Sequence, residues 1–196
     1  MNQYEVNNEK GRSMIEMLGV LAIVGVLSVA GIAGYSKAMA KYKANKLMDQ
    51  VSTLAANIKT LFAATGSYNG LENNVRAFNL GLIPEEMTKN CTVANGQITS
   101  GTCVKNGMNG AVTIAPATNS VAGDSFSIKF EKLTKDACVA MMTADWGGAA
   151  GFRSIKANVG DPYTPATLAS TGVYTAAKTA CVADTDDGYE VTWVFY

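Results

Sequence analysis

The feature that most constrains this chain is an uncharged apolar run that extends from Met17 to Tyr35. As an α-helix with a rise of about 1.5 Å per residue, these roughly 19 residues cover about 28 Å, close to the hydrocarbon thickness of a bilayer. The run can therefore span a membrane. Glu16 lies immediately before it, and a carboxylate near hydrocarbon costs several kcal/mol unless a partner compensates its charge. We interpret Glu16 as a functional residue whose partner has to be identified.

A helical pattern continues beyond the apolar run. Apolar residues recur at alternating steps of four and three, at Ala40, Ala44, Leu47, Val51, Leu54, Ile58 and Leu61. No proline occurs before Pro84, and Gly66 with Ser67 is the first stop signal, so we predict one helix from about Ser13 to Thr65. Its second half is amphipathic. That half would pack on a head domain of the same chain or, as the alternative, form a coiled-coil dimer, and we favour the head domain.

A secretory signal peptide is the alternative explanation of the apolar run. Such signals have a shorter apolar core, followed by small residues at a cleavage site. Ala30, Gly31, Ala33 and Gly34 fit a site of this kind. The helical pattern beyond Tyr35 favours a segment that is retained.

Charge and cysteine content limit the class of protein. The 196 residues contain 16 Lys and Arg against 16 Asp and Glu, so bulk charge indicates no nucleic-acid partner. All the cysteines follow the apolar run, which suggests an oxidising compartment for that part of the chain. We favour the pairs Cys91–Cys103 and Cys138–Cys181, because the first closes a loop rich in turn signals. The lack of His and of any CxxC pair argues against a metal site.

The rest of the sequence predicts a head with both helices and strands. Two segments have helical character, at residues 73–80 and 134–144, and the second is expected to carry Cys138 inward. Glu85-Glu86 beside Pro84 indicates a further helix start. Two segments have strand character, at residues 126–130 and 189–196. The second strand follows Asp187-Gly188, the strongest hairpin signal in the chain.

The residues around Glu16 form a specific motif. Gly11-Arg12-Ser13-Met14-Ile15-Glu16, followed by a long apolar run, resembles the processing site of type IV pilins and of the related pseudopilins of type II secretion. The resemblance implies cleavage of the Gly11–Arg12 bond by a prepilin peptidase and N-methylation of Arg12. It also implies that Glu16 guides assembly. The amino terminus released at Arg12 can compensate the carboxylate of a neighbouring subunit in apolar surroundings.

The resemblance also implies an α+β pilin fold, in which a long N-terminal helix packs on an antiparallel β-sheet head. The expected organisation is a leader at residues 1–11, a long helix at 12–65 with a transmembrane part at 17–35, and a disulfide-stapled head at 66–196. The precursor would lie in the bacterial inner membrane, with prepilin peptidase and the pilus assembly machinery as partners. The mature subunit would form a helical homo-oligomeric filament, an extracellular pilus, with no nucleic acid required for the fold.

Two further features bear on subclass and topology. Lys135-Asp136-Ala137-Cys138-Val139 and the later Asp145-Trp146-Gly147 look most like the type IVb branch of these pilins. Four lysines after the apolar run would place the head in the cytoplasm by the positive-inside rule, namely Lys37, Lys41, Lys43 and Lys46. Pilins send the head across the inner membrane despite such lysines, and the cysteines agree with that topology.

Other candidate sites have simpler explanations. The acidic segment at residues 184–190 could hold calcium, but its spacing misses the EF-hand pattern, and a solvated hairpin turn explains it. Trp146 and Trp193 could anchor an interface, although packing in the core is the favoured explanation. Three glycines of the apolar run allow close helix contacts or local unwinding, namely Gly25, Gly31 and Gly34.

The sequence contains no catalytic constellation. It has no His, no GxSxG motif and no phosphate loop, so we expect neither enzymatic activity nor a cofactor. The preferred function is that of a structural subunit of a type IV pilus. A minor pilin or a type II secretion pseudopilin, forming a short periplasmic pseudopilus, is the alternative. A single-pass anchored binding domain that never polymerises is a third possibility, but it leaves the motif before the apolar run without a cause.

Overall fold

The structure is a computed structural model that describes residues 13–118, 120–146, 151–158, 161–182 and 188–196. Its helices are α1 (Met14–Phe62), α2 (Asn74–Asn79), α3 (Lys135–Thr143), α4 (Pro165–Thr171) and α5 (Val173–Ala180). Its strands are β1 (Val93–Ala94), β2 (Gln97–Ile98), β3 (Val112–Thr118), β4 (Ala122–Leu133), β5 (Phe152–Ala157) and β6 (Tyr189–Phe195). Short 3₁₀ helices cover Glu85–Met87 and Gly101–Cys103. The chain divides into two compact units after Met39, so the second half of α1 belongs to the head.

The second half of α1 buries the predicted apolar face in the head. The buried residues of this face are Ala44, Leu47, Val51, Leu54 and Ile58. Leu61, the last position of the predicted pattern, is instead 45% exposed, and α1 ends at Phe62 rather than at Thr65. Gln50 is a polar member of the buried face that the apolar pattern does not predict. The apolar face of α1 therefore packs on the head of the same chain, the arrangement that we favoured over a coiled-coil dimer.

The head contains a four-stranded antiparallel sheet with the order β3-β4-β6-β5. Inward-facing side chains alternate along the central strands, as a half-buried sheet requires, and are Phe126, Ile128 and Phe130 on β4 and Val191, Trp193 and Phe195 on β6. These side chains and the buried face of α1 belong to one hydrophobic core. The fold is α+β, with a long N-terminal helix and an antiparallel sheet, as predicted.

Strand β6 occupies the centre of the sheet, where Trp193 pairs with Ile128 of β4 and with Ile155 of β5. The predicted turn at Asp187-Gly188 begins at a residue outside the described part of the chain, whereas the strand predicted after it is confirmed. Among the described residues, the regular element before β6 is α5, and β6 pairs with two strands that lie earlier in the chain. A turn signal predicts a change of direction, but it does not determine which strand becomes the partner.

Both favoured disulfides are present. Cys138 and Cys181 are buried, and their bond joins α3 to the residue that follows α5. The Cys91–Cys103 bond closes a loop that contains the β1–β2 hairpin. The two turn residues of this hairpin, Asn95 and Gly96, have φ angles of 52° and 76°. A two-residue turn with both φ angles positive is the geometry that Asn-Gly favours, so this sequence signal is correctly predicted.

The side chain of Asn74 covers the outer edge of the sheet. Its Nδ2 donates to the carbonyl oxygen of Val112 at 2.5 Å, and its Oδ1 accepts from the backbone N–H of Ile114 at 3.0 Å. These are two backbone groups that an added strand would use. Pro116, farther along β3, has no N–H to offer. At the opposite edge, Ile155 exchanges two backbone hydrogen bonds with Tyr163. Both edges are therefore protected against strand addition.

Replacing Asn74 by Ala should destabilise the head by about 2–3 kcal/mol, because Val112 and Ile114 lose hydrogen-bond partners in a buried setting. Urea unfolding followed by circular dichroism measures the loss. The matched control is Asn73→Ala, which removes only the cap of α2 and should cost about 1 kcal/mol. Equal losses for the two variants would contradict the edge role of Asn74.

Candidate assembly site

The predicted assembly residue Glu16 lies in the first turn of α1. Its Oε2 accepts a hydrogen bond from the backbone N–H of Ser13 at 3.2 Å, while the Ser13 carbonyl oxygen accepts from the N–H of Met17 at 3.2 Å. A Glu three residues after a Ser that precedes a helix forms one half of a capping box. The carboxylate also faces the positive end of the helix dipole. Glu16 therefore has a local partner, the backbone N–H of Ser13, which its position beside the apolar run does not predict. The Ser-x-x-Glu spacing in the sequence does indicate this partner.

The apolar half of α1 exposes its side chains on every side. By length and composition this helix can cross a membrane, and none of its most apolar window is buried. The largest exposed side chains include Met14, Ile15, Leu18, Leu21, Val26, Leu27, Val29 and Ile32. Exposed apolar surface of this extent marks an interaction with lipid or with other protein. This half of α1 therefore needs a partner outside the described chain.

The glycines of the apolar run lie within regular helix. α1 continues without interruption through Gly25, Gly31 and Gly34, so no local unwinding occurs at them in the described chain. A Cβ atom added at any of these positions would meet no atom within 4 Å. Each glycine thus leaves a gap on the helix surface that a neighbouring helix could approach closely.

The second half of α1 is tied to the head through Gln50. Its amide nitrogen donates to Oε1 of Glu86 at 2.6 Å, and its amide oxygen accepts from the N–H of Gly107 at 2.9 Å. Lys46 lies one turn earlier and contacts Oε2 of Glu86 at 3.1 Å. The hydrogen bond from Gln50, and then the interactions with Lys46, hold the pKa of the Glu86 carboxyl below its ordinary value. This polar cluster fixes the rotation of the second half of α1 about its axis against the rest of the head.

The other predicted site residues fall into two groups. Gly11 and Arg12 lie outside the described residues, so cleavage and N-methylation stay predictions. The acidic segment at 184–187 also lies outside them. Within the described ranges, no group of three or more His, Cys, Asp or Glu side chains could hold a metal ion. Trp146 and Trp193 are buried and pack edge to face with ring centroids 5.5 Å apart, so they belong to the core.

Comparison with known proteins identifies the family. A family model described as PilS N terminal matches residues 41–195. The chain belongs to the PilS family of type IV pilins. The match covers the amphipathic half of α1 and the head but not the motif around Glu16. The pilin head and the N-terminal motif are therefore two separate indications of the same family.

Solved structures resemble this pilin in fold. The crystal structure of the type IVb pilin from Salmonella typhi has a TM-score of 0.51 and 23% sequence identity, and the match covers 76% of this chain and 96% of that chain. The type IV pilin TcpA from Vibrio cholerae El Tor biotype has a TM-score of 0.49 and 19% identity, with 79% of this chain and 99% of that chain covered. A search of curated proteins finds no match to the pilin.

Proposed function

We propose that this pilin is made as a precursor in the bacterial inner membrane and becomes the structural subunit of an extracellular helical filament. Prepilin peptidase removes residues 1–11, residues 17–35 of the long helix hold the precursor in the membrane, and the assembly machinery extracts it. The observation that carries the proposal is the exposed apolar half of α1, joined to a pilin head. In the filament this surface is covered by helices of other subunits instead of lipid.

The protected sheet edges support assembly through helices. Asn74 and Pro116 cover one edge of the head sheet, and Tyr163 covers the other. A head protected in this way does not polymerise by strand addition. Among the described residues, the apolar half of α1 offers a large exposed apolar surface for stable self-association.

Glu16 sets the register of an incoming subunit. Cleavage after Gly11 creates a positively charged amine at Arg12, and a carboxylate of another subunit compensates that amine where water is excluded. The hydrogen bond from Ser13 holds the Glu16 carboxylate at the start of the helix, close in sequence to its own terminus. In a bundle of helices, the same carboxylate can accept from a neighbouring terminus as well, because each of its oxygens has more than one lone pair.

The processing step is tested by the mass of the mature subunit. Fibres sheared from cells should contain a chain that begins at N-methylated Arg12, measured by intact-protein mass spectrometry. A Gly11→Val variant should keep residues 1–11, because a bulky branched side chain then stands at the scissile bond. The matched control is Gly19→Ala, which meets no atom within 4 Å and should be processed normally. A surface subunit that still begins at Met1 would contradict the proposal.

Electron microscopy of the cell surface separates the two filament classes. Long fibres that contain this subunit as the main component support the pilus. A minor pilin or a pseudopilin would instead be found in short periplasmic assemblies, with no surface fibre built mainly from this chain.

A further inference from the structure

A basic segment at residues 37–43 follows the apolar run, and the assembly mechanism leaves it without a role. It contains Lys37, Lys41 and Lys43, and all three side chains are exposed. Among the ion pairs of the described residues, none includes any of these lysines. No Asp or Glu occurs between Glu16 and Asp49, so neighbours in sequence do not offset the charge either. Three uncompensated positive charges thus lie within two turns of helix.

The lysines of the basic segment do not share one face of α1. Because each residue of an α-helix is rotated by about 100°, Lys41 and Lys43 project to nearly opposite sides. Lys37 precedes Lys41 by four residues, a spacing at which like charges on one helix repel each other. A folded protein partner approaches from one side and would meet only some of these charges. A membrane surface that the helix crosses surrounds the helix, so it can contact all three lysines.

One aromatic side chain of the interfacial type precedes the basic segment, and another lies within it. Tyr35 is 68% exposed and Tyr42 is 62% exposed. Tyrosine is enriched where a membrane helix enters the headgroup layer, and lysine places its stem along hydrocarbon while its ammonium group reaches the phosphates. In the sequence, the segment begins two residues after the end of a run long enough to span the bilayer.

We propose that the basic segment binds the headgroups of anionic phospholipids and so holds the precursor at a fixed depth in the membrane. This inference rests on the proposed membrane-anchored precursor and names the lipid class that it binds. Attraction of this kind weakens as salt screens the charges. Extraction of a subunit into the filament then requires the release of these headgroups as well as of the apolar run.

The test compares lipid binding by the full-length protein and by a triple variant. Each is prepared in micelles of a neutral detergent and titrated with phosphatidylglycerol or phosphatidylcholine, and native mass spectrometry counts the bound lipids. A lysine near an anionic lipid surface changes binding about fivefold, so K37Q/K41Q/K43Q should weaken phosphatidylglycerol binding about 100-fold. Phosphatidylcholine binding should not change.

The matched control carries the same change of charge in the head. Lys135, Lys156 and Lys178 are exposed, and the variant K135Q/K156Q/K178Q should bind phosphatidylglycerol as the wild type does. Equal binding by the wild type and K37Q/K41Q/K43Q would overturn the inference, and so would an equal loss in the control variant. A triple variant that keeps its lipid preference but loses self-association would also overturn it, because the lysines would then bind a second copy of the chain.

Extraction of cell membranes with alkaline carbonate distinguishes this inference from the proposed function. All three proteins should remain in the membrane fraction, since residues 17–35 are unchanged. A wild-type protein that carbonate releases would overturn the membrane-anchored precursor itself. A retained wild-type protein without any preference for phosphatidylglycerol would overturn only the role of the basic segment.

Discussion

Cells that express Glu16→Ala should insert the pilin in the membrane and process it, yet carry at least about 100-fold fewer filaments than the wild type. Removal of one partner from a buried charge pair costs about 3–5 kcal/mol, because the remaining charge has no compensation, and each 1.4 kcal/mol is a factor of ten in an equilibrium. The remaining charge here is the amine at Arg12 of a neighbouring subunit. Counting of surface fibres by electron microscopy measures the effect, with subunit abundance checked by immunoblot.

A second substitution separates assembly from helix capping. Glu16→Gln keeps an oxygen that accepts from the N–H of Ser13, but it removes the negative charge. We expect Glu16→Gln to lose filaments as Glu16→Ala does. The matched control is Glu85→Gln, which removes an exposed carboxylate from the head and should leave fibre number unchanged. Normal fibres from the Glu16→Gln strain would show that the residue acts only as a helix cap.

Removal of the buried disulfide should have the largest effect on stability. The Cys138–Cys181 bond closes a separation of 43 residues. The loop-entropy model gives it about 4 kcal/mol, and both sulfur atoms lie in the core, where Ala would leave a cavity. For a protein of this size, each kcal/mol shifts the melting temperature by about 2–4 °C, so Cys138→Ala with Cys181→Ala should lower it by at least about 8 °C. Thermal melts of the full-length protein in detergent, followed by circular dichroism, measure the shift.

The other disulfide is the matched control for this experiment. The Cys91–Cys103 bond spans a separation of only 12 residues, and both of its cysteines are half-buried. Cys91→Ala with Cys103→Ala should therefore cost less, about 3 kcal/mol. If Cys91→Ala with Cys103→Ala lowers the stability as much as Cys138→Ala with Cys181→Ala does, then loop length and burial do not determine how much each disulfide stabilises the head.

The sequence predicts the long helix well because burial along a helix follows its period of 3.6 residues. Five apolar positions from Ala44 to Ile58 are buried as the pattern indicates. Gln50 could not be predicted, since its partners Glu86 and Gly107 lie 36 and 57 residues away in the chain. A polar residue in an apolar face becomes explicable only when the fold brings its partners to it.

Local signals succeed where the structure is itself local. Asn95-Gly96 forms the turn of the β1–β2 hairpin because such a turn requires two positive φ angles, and this requirement depends only on the turn residues and the two strands beside them. The sequence also carries local signals for α4, namely Pro165 at its first position and a capping box formed by Thr164 and Thr167, although no helix is predicted there. The turn signal at Asp187-Gly188 does not determine the partners of β6, which are the distant strands β4 and β5.

The position of β6 has a consequence for the order of events during biogenesis. Residues 189–195 come after every other strand, yet they fill the gap between β4 and β5. Until the ribosome has added them, β4 lacks one of its two neighbours, and among the described residues β5 pairs with Tyr163 alone. Pairing of such distant segments is slow and leaves apolar strands open to aggregation. The head therefore completes its sheet only after its last strand has been made, and in the proposed precursor the long helix would by then already be in the membrane.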